Sequence, residues 1–302
     1  MNILFVNPTA QLGGAERVLL DVMTTMKPAL PPGSRVKLLL LADGPLVRRA
    51  RELGFDVAVE SMPQSLARLG ESGLGQTGAT RMAIRTCRSL PGLSGFVGRV
   101  RRQVRRFCPD VIHSNGLKTH LLTRLMPRGD ALVVWHVHDL LGERPLISRA
   151  LRYFSGHVSA AVAISQAVAD DLRRVLPRKQ VHTILNGIDL EQFSPSPEDP
   201  ALLDRLAGMP EAQPDVVRVG LVATYARWKG QDLFLDACAR VLTRTDRRTL
   251  RFFIIGGAIY ATLGSQFSEA ALRERAIALG IESNVGFIGF QADPTPVYRA
   301  LD

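Results

Sequence analysis

Short apolar runs alternate with amphipathic segments almost from one end of the sequence to the other. This rhythm limits the fold more than any other feature. Residues 3–7 form a compact apolar run. Ala15, Val18, Leu19, Val22, Met23 and Met26 then recur on one face of a helix. Further strand-like runs lie at 36–41, 56–59, 110–113, 132–137, 160–165 and 181–185. Helical patterns such as 46–53, 118–126 and 166–176 separate them. The order predicts an α/β chain with parallel sheets covered on both faces, because each helix returns the chain for another strand in the same direction.

The rhythm breaks twice. Residues 61–95 are rich in Gly, Ser and Arg, which predicts a mobile insertion ahead of a basic helix at 96–107. Three prolines within 193–200 predict a stiff linker or domain boundary. Beyond it, strand-like runs at 217–223, 251–256 and 285–290 alternate with helices at 232–242 and 268–279, and Asp302 falls in or just after a helical turn. At ~150 residues per domain, 302 residues suggest two domains. The pattern predicts an N-terminal doubly wound, Rossmann-like domain over 1–193, including the basic insertion 61–107. It then predicts a linker at 194–200 and a partial C-terminal Rossmann-like domain over 201–302. Doubly wound sheets usually hold five or six strands. With three, the second is expected to be about half present and to lack one sheet edge and one helix layer.

Composition narrows the function classes. Hydrophobic residues at 46% and charged residues at 22% exclude disorder over most of the length. No apolar run reaches the roughly 18 residues of a membrane-spanning helix. The N-terminus enters an apolar strand without a basic segment or cleavage site, so no signal peptide is expected. Cys87, Cys108 and Cys238 give neither a disulfide framework nor zinc spacing, which fits a cytoplasmic protein. The net charge of +10 is concentrated: residues 61–110 carry nine arginines against Glu71 and Asp110. Such an excess suggests an acidic partner. The stretch 81–106 reads either as a peripheral contact with anionic membrane or as a solvated face. Nucleic acid is not expected, because the arginines form no platform with aromatics for base stacking.

Four places could carry chemistry. Gly13 and Gly14 sit where the first strand meets the first helix, with Glu16 close behind. Glycines there let a backbone approach a ligand, and a helix N-terminus offers N–H groups to an anion. A tight turn explains the same residues. This turn carries neither the dinucleotide fingerprint nor a P-loop ending. Arg227 and Lys229 flank Trp228 after the strand at 217–223 and suit a diphosphate, or are two solvated cations. His136 and His138 share a strand face, and His113 ends its own strand. Each can donate to a sugar hydroxyl or be a satisfied structural histidine. Asn186-Gly187 predicts a turn, and Asp189 a cap for the next segment. No Asp-x-Asp, zinc-helix or nucleophile-elbow motif supports a metal site or a hydrolase.

The sequence resembles the family 4 glycosyltransferases, which have the GT-B fold. The resemblance rests on the order and spacing of Gly13 to Arg17, Ile164-Ser165, Ile184 to Asp189 with Phe193, Arg227 to Gly230, and Val285 to Phe290. It implies two Rossmann-like domains facing across a cleft, with a nucleotide diphosphate sugar mainly on the second and the acceptor on the first. By the resemblance Arg227, Lys229 and the Gly14 N–H hold the donor diphosphate, and His138 meets the transferred sugar as the catalytic residue. Gly13, Glu16, His113 and Asn186 are candidates for the cleft or acceptor side. The implied reaction moves a sugar to a hydroxyl of a polysaccharide, lipid-linked or small glycoside acceptor. It proceeds with retention, without metal and with no cofactor beyond the nucleotide sugar, in the cytoplasm or at the inner membrane face. The family's two glutamates, on either side of seven residues, are expected beyond Asp302, so the chain reads as C-terminally incomplete. A nucleotide-sugar epimerase of the same fold and a non-catalytic membrane-surface or binding module are the alternatives.

Overall fold

The computed structural model describes residues 1–64, 90–143, 145–213, 215–244, 246, 249–258 and 266–302. Most of the expected mobile insertion, with Arg68, Arg81, Arg85 and Arg88, lies outside the described residues. The chain divides into two compact units, Met1–Gly187 and Ile188–Asp302.

The first unit is built on strands β1 (Asn2–Asn7), β2 (Arg35–Leu40), β3 (Asp56–Val59), β4 (Val111–Asn115), β5 (Leu132–Val137), β6 (Ala160–Ala163) and β7 (Val181–Thr183). They form one sheet in the order β3-β2-β1-β4-β5-β6-β7, every pair parallel. Successive side chains point to opposite faces. Ile3, Phe5, Leu38 and Leu40 meet helices α1 (Gly14–Met26) and α2 (Pro45–Glu52) through Leu19, Leu20, Met23, Leu46 and Ala50. Leu4, Val6, Ile112 and Trp135 face the other core. There they meet α3 (Leu90–Phe107), α4 (Leu117–Leu122), α5 (Pro145–Phe154) and α6 (Gln166–Val175). Helix α6 starts where its rhythm predicts, because the Ser165 hydroxyl accepts the Val168 N–H at 3.2 Å.

Helix α3 starts at Leu90, earlier than the expected 96. Its apolar stripe is spent inside the protein: Phe96, Val100, Val104 and Phe107 are buried in the core. Arg101, Arg102, Arg105 and Arg106 lie on the exposed side, and Arg99 pairs with Glu60 at 3.1 Å. In this fold those four apolar side chains are turned into the core and not toward a membrane surface. What remains is a charged face.

The second unit holds α7 (Leu202–Ala207), β8 (Val217–Val222), α8 (Gln231–Leu242), β9 (Leu250–Ile255), α9 (Glu269–Ala278), β10 (Val285–Ile288) and α10 (Thr295–Arg299). The sheet has the three strands the pattern predicts, in the parallel order β10-β9-β8. The missing helix layer is corrected, because both faces are covered. Phe252 and Ile254 pack on α8 and α9. Phe253 and Ile255 pack against Leu203 of α7 and Val297 of α10.

The boundary also falls earlier than Phe193. Gln192 bonds Thr295 at 3.2 Å, Arg299 donates to the Ser194 carbonyl at 3.1 Å, and the Phe193 and Tyr298 rings lie 6.0 Å apart. These contacts tie the start of the proline-rich stretch to α10. The turn lies beyond Asn186-Gly187 as well. The Asp189 carboxylate accepts the N–H groups of Glu191 and Gln192, and Phe193 N–H bonds the Asp189 carbonyl at 2.9 Å. The aspartate seeds the turn with its side chain, as anticipated for a cap.

Candidate functional site

In an open parallel sheet, ligands bind beyond the carboxyl ends of the strands, where the strand order reverses. In the first unit that point lies between β1 and β4. Asn7 ends β1, Asn115 ends β4 and His138 comes directly after β5, so three polar side chains collect there. The Asn115 amide donates to Asn7 Oδ1 at 2.6 Å, and its oxygen lies 2.6 Å from His138 Nε2. Asn7 Nδ2 donates to the Thr9 carbonyl at 2.8 Å and approaches Glu16 Oε1 at 3.4 Å. The Thr9 hydroxyl donates to the same Glu16 oxygen at 2.7 Å. Glu16 is buried and turned into this network; its Oε2 is buried with no hydrogen-bond partner among the described residues.

Gly13 caps α1 and Gly14 is its first residue. Gly14 is exposed, and a Cβ built there would meet nothing within 4 Å. Neither its φ nor its neighbours require glycine at this position. Openness toward solvent is what the position offers.

Two further candidate histidines sit beside His138, His136 buried and His113 half-buried. His113 Nε2 is 3.3 Å from His136 Nδ1, and His113 also packs on Phe5 with ring centroids 4.7 Å apart. His136 and His138 lie on the same face with centroids 4.4 Å apart, as their spacing predicts. Burial, then His136 and His138, bring His113 down to about 3, and burial with His138 brings His136 down to about 4. For His138 burial lowers the pKa, while the Asp139 and Glu16 carboxylates pull it back up. Among the described residues no three His, Cys, Asp or Glu side chains converge as a metal site would need.

In the second unit the carboxyl end of β8 leads into a 3-10 turn, Arg227–Lys229. Gly230 closes it in the left-handed conformation, φ 72°, which glycine adopts without strain, and caps α8. The Arg227 guanidinium lies 4.8 Å over the Phe267 ring, while Trp228 and Lys229 are exposed. Beneath the turn Gln231 is fully buried and donates to the Thr224 carbonyl at 2.7 Å. Its Oε1 has no hydrogen-bond partner among the described residues. Gly256, directly after β9, has φ 148°, and a Cβ there would collide with the Ala223 carbonyl. Glycine at 256 therefore lets the ends of β8 and β9 close together beside the turn.

Residues 12–192 match the model of Glycosyltransferase Family 4, and residues 213–302 match that of Glycosyl transferases group 1. The chain belongs to glycosyltransferase family 4. A curated relative, the D-inositol 3-phosphate glycosyltransferase of Nocardia farcinica, is 28% identical over 71% of this chain. The matched part is 46% of that relative, so the family 4 chain spans about half the length of the relative. Anabaena HepE in complex with UDP-glucose has the same fold, with TM-score 0.76, 22% identity, all of this chain covered and 72% of that one. A glycosyltransferase from Rickettsia africae matches at TM-score 0.67 and 15% identity, over all of this chain and 71% of its own.

Within this family 4 chain the first unit brings Glu16 and His138 into one network and sets Gly13 and Gly14 at the helix start beside it. The second unit brings Arg227 and Lys229 onto one turn. Half-buried His113 sits against His136. Asn186 is exposed in the extended stretch after β7 and joins neither group. Sequence reasoning missed Asn7 and Asn115, whose pairing spans 108 positions. It also missed His120, buried and stacked on Trp135 at 5.0 Å. A lone Asn at a strand end reads as turn chemistry, and only the strand order shows that the two meet.

Proposed function

We propose that this chain takes part in moving a sugar from a nucleotide diphosphate sugar to a hydroxyl acceptor. The observation that carries the reading is the Arg227–Lys229 turn at the carboxyl end of β8, in a chain of family 4. The barrier in such a transfer is charge separation at the departing diphosphate. Fixed cations lower it because they are in place before the charge develops. Arg227 is the fork-shaped partner for phosphate oxygens and Lys229 the point charge. The first unit supplies Gly14, with its open surface and helix N–H, and His138, which meets the transferred sugar. Glycan and lipid-linked hydroxyls are the acceptors in this reading. Retention of anomeric configuration and independence of metal and of further cofactors come with the family resemblance.

No helix among the described residues is long and apolar enough to cross a membrane. A cytoplasmic setting with peripheral contact at the inner membrane face belongs to the same reading, and α3 offers only its arginines for that contact.

The test is sugar transfer from UDP-glucose to a panel of glycoside and lipid-linked acceptors, with and without EDTA, and with the product anomer read by NMR. The expected outcome is a retained linkage, formed at the same rate in both conditions. An inverted product or loss of rate with EDTA would overturn those parts of the reading. Interconversion of the free nucleotide sugar without transfer would overturn the reading itself in favour of an epimerase.

A further inference from the structure

The amides around His138 settle which ring nitrogen carries its proton. Two acceptors with fixed roles anchor the network. One end of the Asn7 side chain faces the Thr9 carbonyl at 2.8 Å and the Glu16 carboxylate at 3.4 Å. Both are acceptors, so that end must be the NH2 group. The other end, Oδ1, therefore faces Asn115 at 2.6 Å and needs a donor. Asn115 must present its own NH2 there, which leaves its oxygen toward His138 Nε2 at 2.6 Å. Nε2 must then bear a hydrogen. Reversing either amide would set oxygen against oxygen at one contact or leave two N–H groups facing each other at another.

We propose that Asn7 and Asn115 are positioning residues that hold His138 as the Nε2–H tautomer, with Nδ1 left as the ring's only acceptor. The relay is anchored on the backbone of the β1–α1 loop, and Asn7 and Asn115 are themselves about 1% exposed. Water has little access to compete for either amide. Burial favours the neutral ring, in which a single proton is present and its location matters.

This gives His138 a chemical preference. Its bare Nδ1 can accept an O–H but cannot donate to a phosphate oxygen or carbonyl. Under the proposed function, on which this step rests, it takes a sugar hydroxyl as the donor. The expectation that a histidine here donates to the hydroxyl is thereby reversed. Glu16 belongs to the same relay, in which its Oε1 accepts from Thr9 and Asn7.

The experiment is long-range proton–nitrogen NMR on the full chain with labelled histidine, the His138 signals being assigned with His138→Gln. The wild type is expected to show His138 as a single tautomer, with an Nε2 proton protected from exchange. Asn115→Leu should lose that protection and shift the two ring nitrogens toward each other as the tautomers mix. Asn7→Leu should do the same in part, because it frees Asn115. A far-UV circular dichroism spectrum of Asn115→Leu that matches the wild type separates loss of the relay from a general loss of fold. An Nδ1–H tautomer in the wild type, or an unchanged protected Nε2 proton in Asn115→Leu, would overturn the proposal. Titration with UDP-glucose should then move the Nδ1 resonance, and UDP alone should leave it in place. A chain that shows the Nε2–H tautomer and binds no nucleotide sugar would refute the proposed function while upholding the relay.

Discussion

Asp204 shows how much one residue can hold in the second unit. It is fully buried in α7, paired with Arg251, and 3.6 Å from Arg218, which is itself 3% exposed. Arg218 also donates to the Val216 carbonyl at 2.7 Å, which fixes it at the start of β8. A buried guanidinium is tolerable only beside a carboxylate. Asp204→Ala would leave Arg218 uncompensated and is expected to destabilise the unit by about 3–5 kcal/mol, read from the urea midpoint. A loss below ~1 kcal/mol, close to the range of ordinary surface substitutions, would show that the cluster is not a structural anchor.

At the scale of elements, strands β4 and β5 carry a pH response. His113, on β4, and the neighbouring His120 are held near 3, mainly by burial, and His136, on β5, near 4. These values lie below the usual 6.5, so the unfolded chain binds more protons than the folded one between them. Stability is therefore unaffected above about pH 6.5. It falls as pH drops below that value and levels off only below the folded pKa values. Each histidine contributes up to about 1.4 kcal/mol per pH unit in that window. Thermal melts from pH 7 to pH 4 should show a steady fall, and a flat profile would contradict neutral burial. Helix α3 carries a different response. Its apolar stripe is buried, so any binding of this helix to anionic vesicles rests on Arg101, Arg102, Arg105 and Arg106. Such binding should vanish in ~1 M salt, where the screening length is about 3 Å. Binding that survived high salt would mean apolar insertion, and no binding at low salt would remove the membrane contact.

These elements also show what a sequence can and cannot disclose. The strands were legible because apolar runs of this length between helical patterns have few other uses. Helices α5 and α7 gave weaker signals: Pro145 opens the first, and the second is only Leu202–Ala207. The Arg227–Lys229 turn was legible because its residues are neighbours in the chain. The Asn7–Asn115–His138 relay was not, because it exists only once β1, β4 and β5 lie side by side. His120 was hidden for the same reason, its partner Trp135 lying on another element.

At the scale of the molecule, each unit sets its candidate residues at the carboxyl ends of its parallel strands, Asn7, Asn115 and His138 in one, Arg227 and Lys229 in the other. The family membership gives that shared placement a common purpose in the proposed reaction. The central claim is that the second unit holds the donor diphosphate on this turn. Calorimetric titration of UDP into the chain and into its Lys229→Ala variant tests it most directly. Loss of one charge-assisted contact, worth about 1.5–3 kcal/mol, predicts affinity weaker by roughly 10- to 150-fold in the variant, with its melting temperature unchanged. Equal affinity in the two proteins would contradict the assignment.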